Sequence, residues 1–183
     1  PPSKGWVGGI SAQNSPSALY NGMVAPFTDY AIKGFIWYQG ESNAGRPDEY
    51  KKLVPALVSD WRKQWGQGDI PFLYAQLPNF MDVNYLPAES SWAALRQAQL
   101  ESLKVPNTAM AVAIDLGEWN DIHPGNKKPI GDRLALAAQK LAYGDKNVVY
   151  SGPMFKSATV DGNKVTLSFD HVGSGLISND GEP

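Results

Sequence analysis

Cysteine is absent from the 183 residues. Its absence removes disulfides, thiolate nucleophiles, cysteine zinc sites and iron–sulfur clusters. An excess of one charge is also missing, with 16 Lys and Arg against 18 Asp and Glu. A chain near neutrality carries no basic footprint, so nucleic acid is not an expected partner. No stretch approaches 18 apolar residues, so no membrane span is expected. Residues 1–10, PPSKGWVGGI, lack the charged and apolar regions of a secretory leader. Internal repeats and low-complexity stretches are absent. Histidine is scarce, at two residues, which leaves few choices for a general base.

What is present suits a folded domain. The chain is 43% hydrophobic, too apolar for a disordered segment, and its length fits one domain with a sizeable core. Glycine (18) and proline (14) are plentiful. Together they make roughly 17% of the chain, against about 12% ordinarily, so long loops are expected. The chain opens on Pro-Pro-Ser and stops at SNDGEP, soon after strand-like sequence. A fragment is therefore expected.

Turn signals stand at Gly8-Gly9 and Asn14-Ser15-Pro16. Leu19, Met23, Val24 and Phe27 then have the spacing of a short helix capped by Ser15 or Ser17. KGFIWYQG (33–40) and IPFLYAQL (70–77) read as buried strands, and TAMAVAIDLG (108–117) as a third. Between them, 48–65 has helical spacing at Tyr50, Leu53, Val54, Leu57, Val58 and Trp61, with a kink or break expected at Pro55. A polar loop covers 78–91. A helix follows over 91–103, with Ala94, Leu95, Ala98 and Leu103 on one face. A further helix over 125–144 should stop at Gly144. The order β-α-β-α-β-α with apolar strands predicts an α/β fold, a parallel sheet with helices on both faces. Residues 148–171 alternate around Asp161-Gly162 and predict an antiparallel hairpin. The expected division is 1–146 for the α/β part and 147–183 for the hairpin segment.

Ligands of an open parallel sheet bind past the carboxyl ends of its strands. Three polar segments fall there: 39–43 (QGESN), 76–80 (QLPNF) and 115–124. In the first, Gln39, the Gly40 N–H and Asn43 are candidate donors to a developing oxyanion. Glu41 could orient a base or bind a substrate hydroxyl, or simply serve a helix start. Asn79 in the second segment is a candidate substrate or oxyanion contact. In the third, Asp121 and His123 lie two apart, a pairing that can fix an imidazole tautomer. An ordinary surface-loop histidine is the competing reading. His171 follows a hairpin strand and reads as structural. Trp119, beside His123, is the aromatic residue expected to touch substrate. Phe80-Met81 could add a loop contact, while Trp37, Tyr38, Trp61, Trp65 and Trp92 read as core. Ser42 is a candidate nucleophile, but residues 44–47 separate it from the next helix, and no G-x-S-x-G elbow is present. Asp115, Glu118, Asp121 and His123 are oxygen-rich, yet zinc favours more imidazole or thiolate, so no metal and no cofactor are expected.

Four ordered motifs, ALYNGMVAPF, KGFIWYQGESNA, PFLYAQLPNF and DIHPGNKKPIGDRLALAA, together resemble the sialate O-acetylesterase (sialic acid-specific 9-O-acetylesterase) family. That family belongs to the SGNH hydrolases, carbohydrate esterases with a three-layer α/β/α sheet. The similarity runs over nearly all of 15–177, including FDHVGSGL. It implies two-step acyl transfer by a serine, with His123 as general base and an acetylated sugar as substrate. It implies Asp121 or Glu41 as the triad acid, and an oxyanion hole near Gln39 and Gly40. The family's Gly-Gln-Ser-Asn-Met nucleophile block and its second glycine block are not recognisable in this chain. The resemblance thus implies a partial domain without its nucleophile, with an exposed sheet edge where another chain could pair. It also implies a periplasmic or secreted location, with any leader upstream. Acetylxylan esterase activity and a non-catalytic carbohydrate-binding domain are the alternatives.

Overall fold

The computed structural model describes residues 15–177; the Gly8-Gly9 turn lies outside them. Three short parallel strands form one sheet: β1 (Phe35–Trp37), β2 (Phe72–Ala75) and β3 (Thr108–Ala111), in the order β1-β2-β3. Register pairs Ile36 with Leu73 and Leu73 with Ala109. Each crossover is a helix: α1 (Pro47–Trp65) joins β1 to β2, and α2 (Ser91–Glu101) joins β2 to β3. After β3 comes α3 (Lys128–Leu141).

Alternation along the strands sends successive side chains to opposite faces. Phe35, Phe72 and Tyr74 meet Tyr50, Val54 and Val58 of α1 and Trp92, Leu95 and Ala98 of α2. On the other face, Leu73, Ala75, Ala109 and Ala111 meet Ile130, Leu134 and Ala137 of α3. The result is the expected three-layer α/β/α arrangement. Trp37, Trp61 and Trp65 pack around Phe35 and Phe72 with ring centroids 4.9–6.3 Å apart, so these tryptophans are core, as the spacing predicts. The third layer stops short of β1. Ile36 is 67% exposed although its register partner Leu73 is 2% exposed.

Several elements differ from the sequence reading. α1 runs through Pro55 without a break. Burial of Tyr50, Val54 and Val58 on both sides of the proline outweighs its cost of about 3 kcal/mol. Leu53, expected on the apolar face, is exposed. In α2 the buried positions are Trp92, Leu95, Ala98 and Gln99, and Ala94 is exposed. β3 ends at Ala111 rather than 117: the Val112 carbonyl accepts from Arg133 instead of a neighbouring strand. The segment before β1 is helical over 18–27, as the spacing predicts, but irregular. It is a π turn (Tyr20–Val24) and a 3-10 turn (Ala25–Phe27) with no side-chain cap at Leu19 or Val24. Ser17 instead adopts φ 61°. Leu19, Met23 and Phe27 are exposed because neither core cluster reaches them.

The helix after β3 ends as expected. Leu141 is its last residue, Gly144 takes φ 75°, and the Asp145 N–H returns to the Gln139 carbonyl. β4 (Met154–Asp161) and β5 (Lys164–Asp170) form the antiparallel hairpin, paired Asp161 to Lys164 around a two-residue turn. Both of its faces are largely exposed, and neither core cluster includes a hairpin residue.

Candidate active site

All three polar segments leave the carboxyl ends of the parallel strands. After β1 the chain turns at Gly40, with φ 151°, into a single 3-10 turn, Glu41–Asn43. A side chain at residue 40 would strain that backbone and press on Leu95, Gln99 and Tyr50 at 3.2–3.4 Å. Within the turn the polar groups satisfy one another. Gln39 Nε2 donates to Asn43 Oδ1 at 2.8 Å, and the Gly40 N–H donates to Glu41 Oε2 at 2.9 Å. The Tyr50 hydroxyl donates to the Gln39 carbonyl at 2.9 Å. Burial first, with Glu41's negative charge adding to it, pushes the Tyr38 and Tyr50 phenols up. Tyr50 therefore stays a proton donor to the turn at neutral pH. The turn is pre-organised, and its Gly40 donor is occupied by the Glu41 carboxylate.

Asp121 and His123 lie on the loop between β3 and α3. Asp121 Oδ1 accepts the His123 backbone N–H at 2.8 Å and stands 4.0 Å from His123 Nδ1. The carboxylate thus holds the histidine's backbone at hydrogen-bond distance and its ring slightly farther. The His123 side chain is 89% exposed. No hydrogen bond joins it to Glu41, to Ser42 or to any other serine among the described residues. Glu118 Oε1 accepts the Gly125 N–H at 3.0 Å. Asp115 makes a two-pronged pair with Arg133, both contacts at 2.7 Å. No three His, Asp or Glu residues among those described are grouped to hold a metal ion.

The 78–81 and 116–121 loops are stitched together. Asn79 Oδ1 accepts the Gly117 N–H at 2.8 Å, so its carbonyl serves the loop. A Cβ on Gly117 would overlap the Asn79 backbone carbonyl. The Met81 N–H donates to the Trp119 carbonyl at 2.8 Å and holds Met81 at φ 76°, a conformation non-glycine residues rarely adopt. Phe80 packs on Trp92 at 5.3 Å, while Trp119 is 58% exposed beside the histidine loop. Lys127 completes the connection: its ammonium sits 4.9 Å from the centre of the Tyr38 ring, next to Gln39. This contact ties the residue before the first segment to the loop that follows the third.

Of two hollows, one borders the site and the other does not. One of about 570 Å³ opens beside the 39–43 turn, walled by Trp37, Gln39, Asn43, Tyr50, Leu53 and Leu57 among others. A larger one, about 840 Å³, lies between β3 and the hairpin and includes Arg133 and His171. None of Gln39, Gly40, Glu41, Asn43, Asn79, Trp119, Asp121 and His123 lines it.

Three residues at this end of the sheet were not named as site residues from the sequence: Tyr50, Gln99 and Lys127. Gln99 had one signal, a polar side chain four residues after Leu95 on the buried face of α2.

Parallel strands, helices on both faces and polar strand-end turns make a three-layer α/β/α fold of the SGNH-like kind. The structure of a carbohydrate acetylesterase from Xanthomonas citri superposes with a TM-score of 0.75 at 46% identity, covering 83% of this chain and 35% of that one. Sialate O-acetylesterase of Mus musculus is 39% identical over 163 residues, 80% of this chain. The Homo sapiens protein of the same name is 34% identical over 163 residues, 79% of this chain. The chain spans 30% and 31% of the length of these two relatives. Residues 5–140 match the family described as carbohydrate esterase, sialic acid-specific acetylesterase (SASA). The chain belongs to that family.

Proposed function

We propose that the strand-end loops form part of a serine-type carbohydrate O-acetylesterase site, acting on O-acetyl esters of sialic acid or a related acetylated sugar. The observation that supports this most is spatial. The Gln39–Asn43 turn and the His123 loop share one end of the sheet and are joined through Lys127 and Tyr38. His123 takes the proton from a serine hydroxyl as it attacks the acetyl carbonyl. The tetrahedral oxyanion is met by the Gly40 N–H and by the amides of Gln39 and Asn43. His123 then returns the proton to the departing sugar oxygen, and water cleaves the acyl-enzyme by the same relay. Either Asp121 or Glu41 steadies the imidazolium. The nucleophile comes from outside residues 15–177, and the enzyme works in the periplasm or outside the cell.

A second reading is a carbohydrate-binding domain without a nucleophile. Acetate release by the complete gene product decides between them, with 9-O-acetylated sialic acid and acetylated xylan as substrates. Turnover of the sialic acid ester is expected. Turnover of xylan alone shifts the substrate class, and binding of either sugar without acetate release contradicts the esterase reading.

A further inference from the structure

Gln99 is 2% exposed in the last turn of α2, beneath the proposed site. A buried amide must find partners for its carbonyl and its NH2 group. It finds them on two strand ends. Gln99 Oε1 accepts the Leu77 N–H at 2.9 Å. Its Nε2 donates to the Gln39 carbonyl at 3.3 Å and lies 3.4 Å from the Ala75 carbonyl. The Gln99 backbone carbonyl is itself fixed by the Tyr74 hydroxyl at 2.8 Å. The Gln39 carbonyl also accepts from Tyr50. Two side chains from two helices thus grip the one peptide that precedes Gly40. Residue 40 would touch Gln99 Nε2 if it had a side chain, so the turn is seated directly on this amide.

We propose that Gln99 is a positioning residue that sets the orientation of the Gln39–Gly40 peptide, and with it the Gly40 donor, against the end of β2. The inference rests on the esterase reading for its catalytic consequence but not for its structural one. Two measurements therefore separate them. In the complete gene product, Gln99→Met keeps the volume and removes all three side-chain hydrogen bonds. Amide hydrogen exchange should accelerate over 39–43 and at Leu77 while the α3 face stays protected. Unchanged exchange over 39–43 overturns the proposal whatever the activity.

The second measurement is kinetic. Displacing an oxyanion donor costs mainly kcat, so Gln99→Met should lower kcat by about 10-fold or more with KM within about 2-fold. Equal kcat in a folded variant overturns the positioning role. Gln99→Glu adds a signature that loss of packing would not give. When protonated, its hydroxyl can donate to the Gln39 carbonyl; when ionised, it faces two carbonyl oxygens and repels them. Its kcat relative to the unaltered protein should rise as pH falls, and a flat ratio counts against the proposal. If the unaltered protein shows no esterase activity while exchange responds to Gln99→Met, the esterase reading fails and the positioning claim stands.

Discussion

At the residue scale, the proposed chemistry divides between side chains that wait for substrate and side chains that hold the loops. His123 and Trp119 are the exposed pair. Asn79, Gly117 and Met81 stitch the loop that carries them. The division gives Trp119 a testable part. An indole face beside the ester is a stacking platform for a sugar ring. Trp119→Ala should raise KM for an acetylated sugar by several-fold while kcat for nitrophenyl acetate, which lacks the sugar, stays within about 2-fold. Equal losses on both substrates would show that Trp119 only supports the loop. The polar turns could be read from the sequence because each directly follows an apolar run, and His123 because it is one of two histidines and lies two residues from Asp121. The grip of Gln99 on Gln39 could not, because 60 residues separate them and side-chain pairing at that distance leaves no periodic trace. Asn79 shows the same limit: its position was legible, but its bond to Gly117 was not.

At the element scale, β1, β2 and β3 were legible as apolar runs and the three helices by their apolar periodicity, although only β2 is buried at every position and Ile36 of β1 is exposed. The ends of these elements were less legible. β3 stops where Arg133 takes the Val112 carbonyl, and the segment from Tyr20 to Phe27 has helical spacing without a layer to pack on. The element ties are testable. Arg62, 8% exposed in α1, donates from Nε to the Ile70 carbonyl at 2.9 Å and from Nη2 to the Pro106 and Asn107 carbonyls at 2.9 and 3.0 Å. It clamps α1 to the entries of β2 and β3. Arg62→Met leaves those carbonyls without their donor and should cost about 2–4 kcal/mol of stability, read as a lower urea midpoint. Arg62→Lys should recover little, since one ammonium cannot span the three carbonyls. An unchanged midpoint would refute the clamp.

The Asp115–Arg133 pair carries a pH dependence between β3 and α3. The hydrogen bonds from Arg133 hold the Asp115 carboxyl below its ordinary range. A depressed folded pKa means stability that is present above the unfolded value, about 3.9, and lost as pH falls through the lower folded value. Asp115→Asn should therefore be less stable than the unaltered protein at neutral pH. The gap should close in acid below that range. The pair is half-exposed, so the gap is small. A gap that widens in acid would contradict the assignment.

At the scale of the whole molecule, the three layers place the Gln39–Asn43 turn, the Asn79 loop and the His123 loop at one end of a parallel sheet. The hairpin β4–β5 stands apart from both core clusters. Ile36 is left bare where α3 stops short of β1. The class of fold was legible from element order alone, because parallel strands need crossovers and these were visible as amphipathic helices. Which loops meet was not, since Lys127 reaching Tyr38 depends on the twist of the sheet and the length of the last loop. The central claim is that His123 is the general base of an acetylesterase. The most direct test is kcat/KM of the complete gene product on 9-O-acetylated sialic acid, for the unaltered protein and for His123→Ala, with Ser42→Ala in parallel. The account predicts a loss of about 10²–10⁴-fold for His123→Ala, with Ser42→Ala retaining turnover. Undiminished activity in His123→Ala would contradict it.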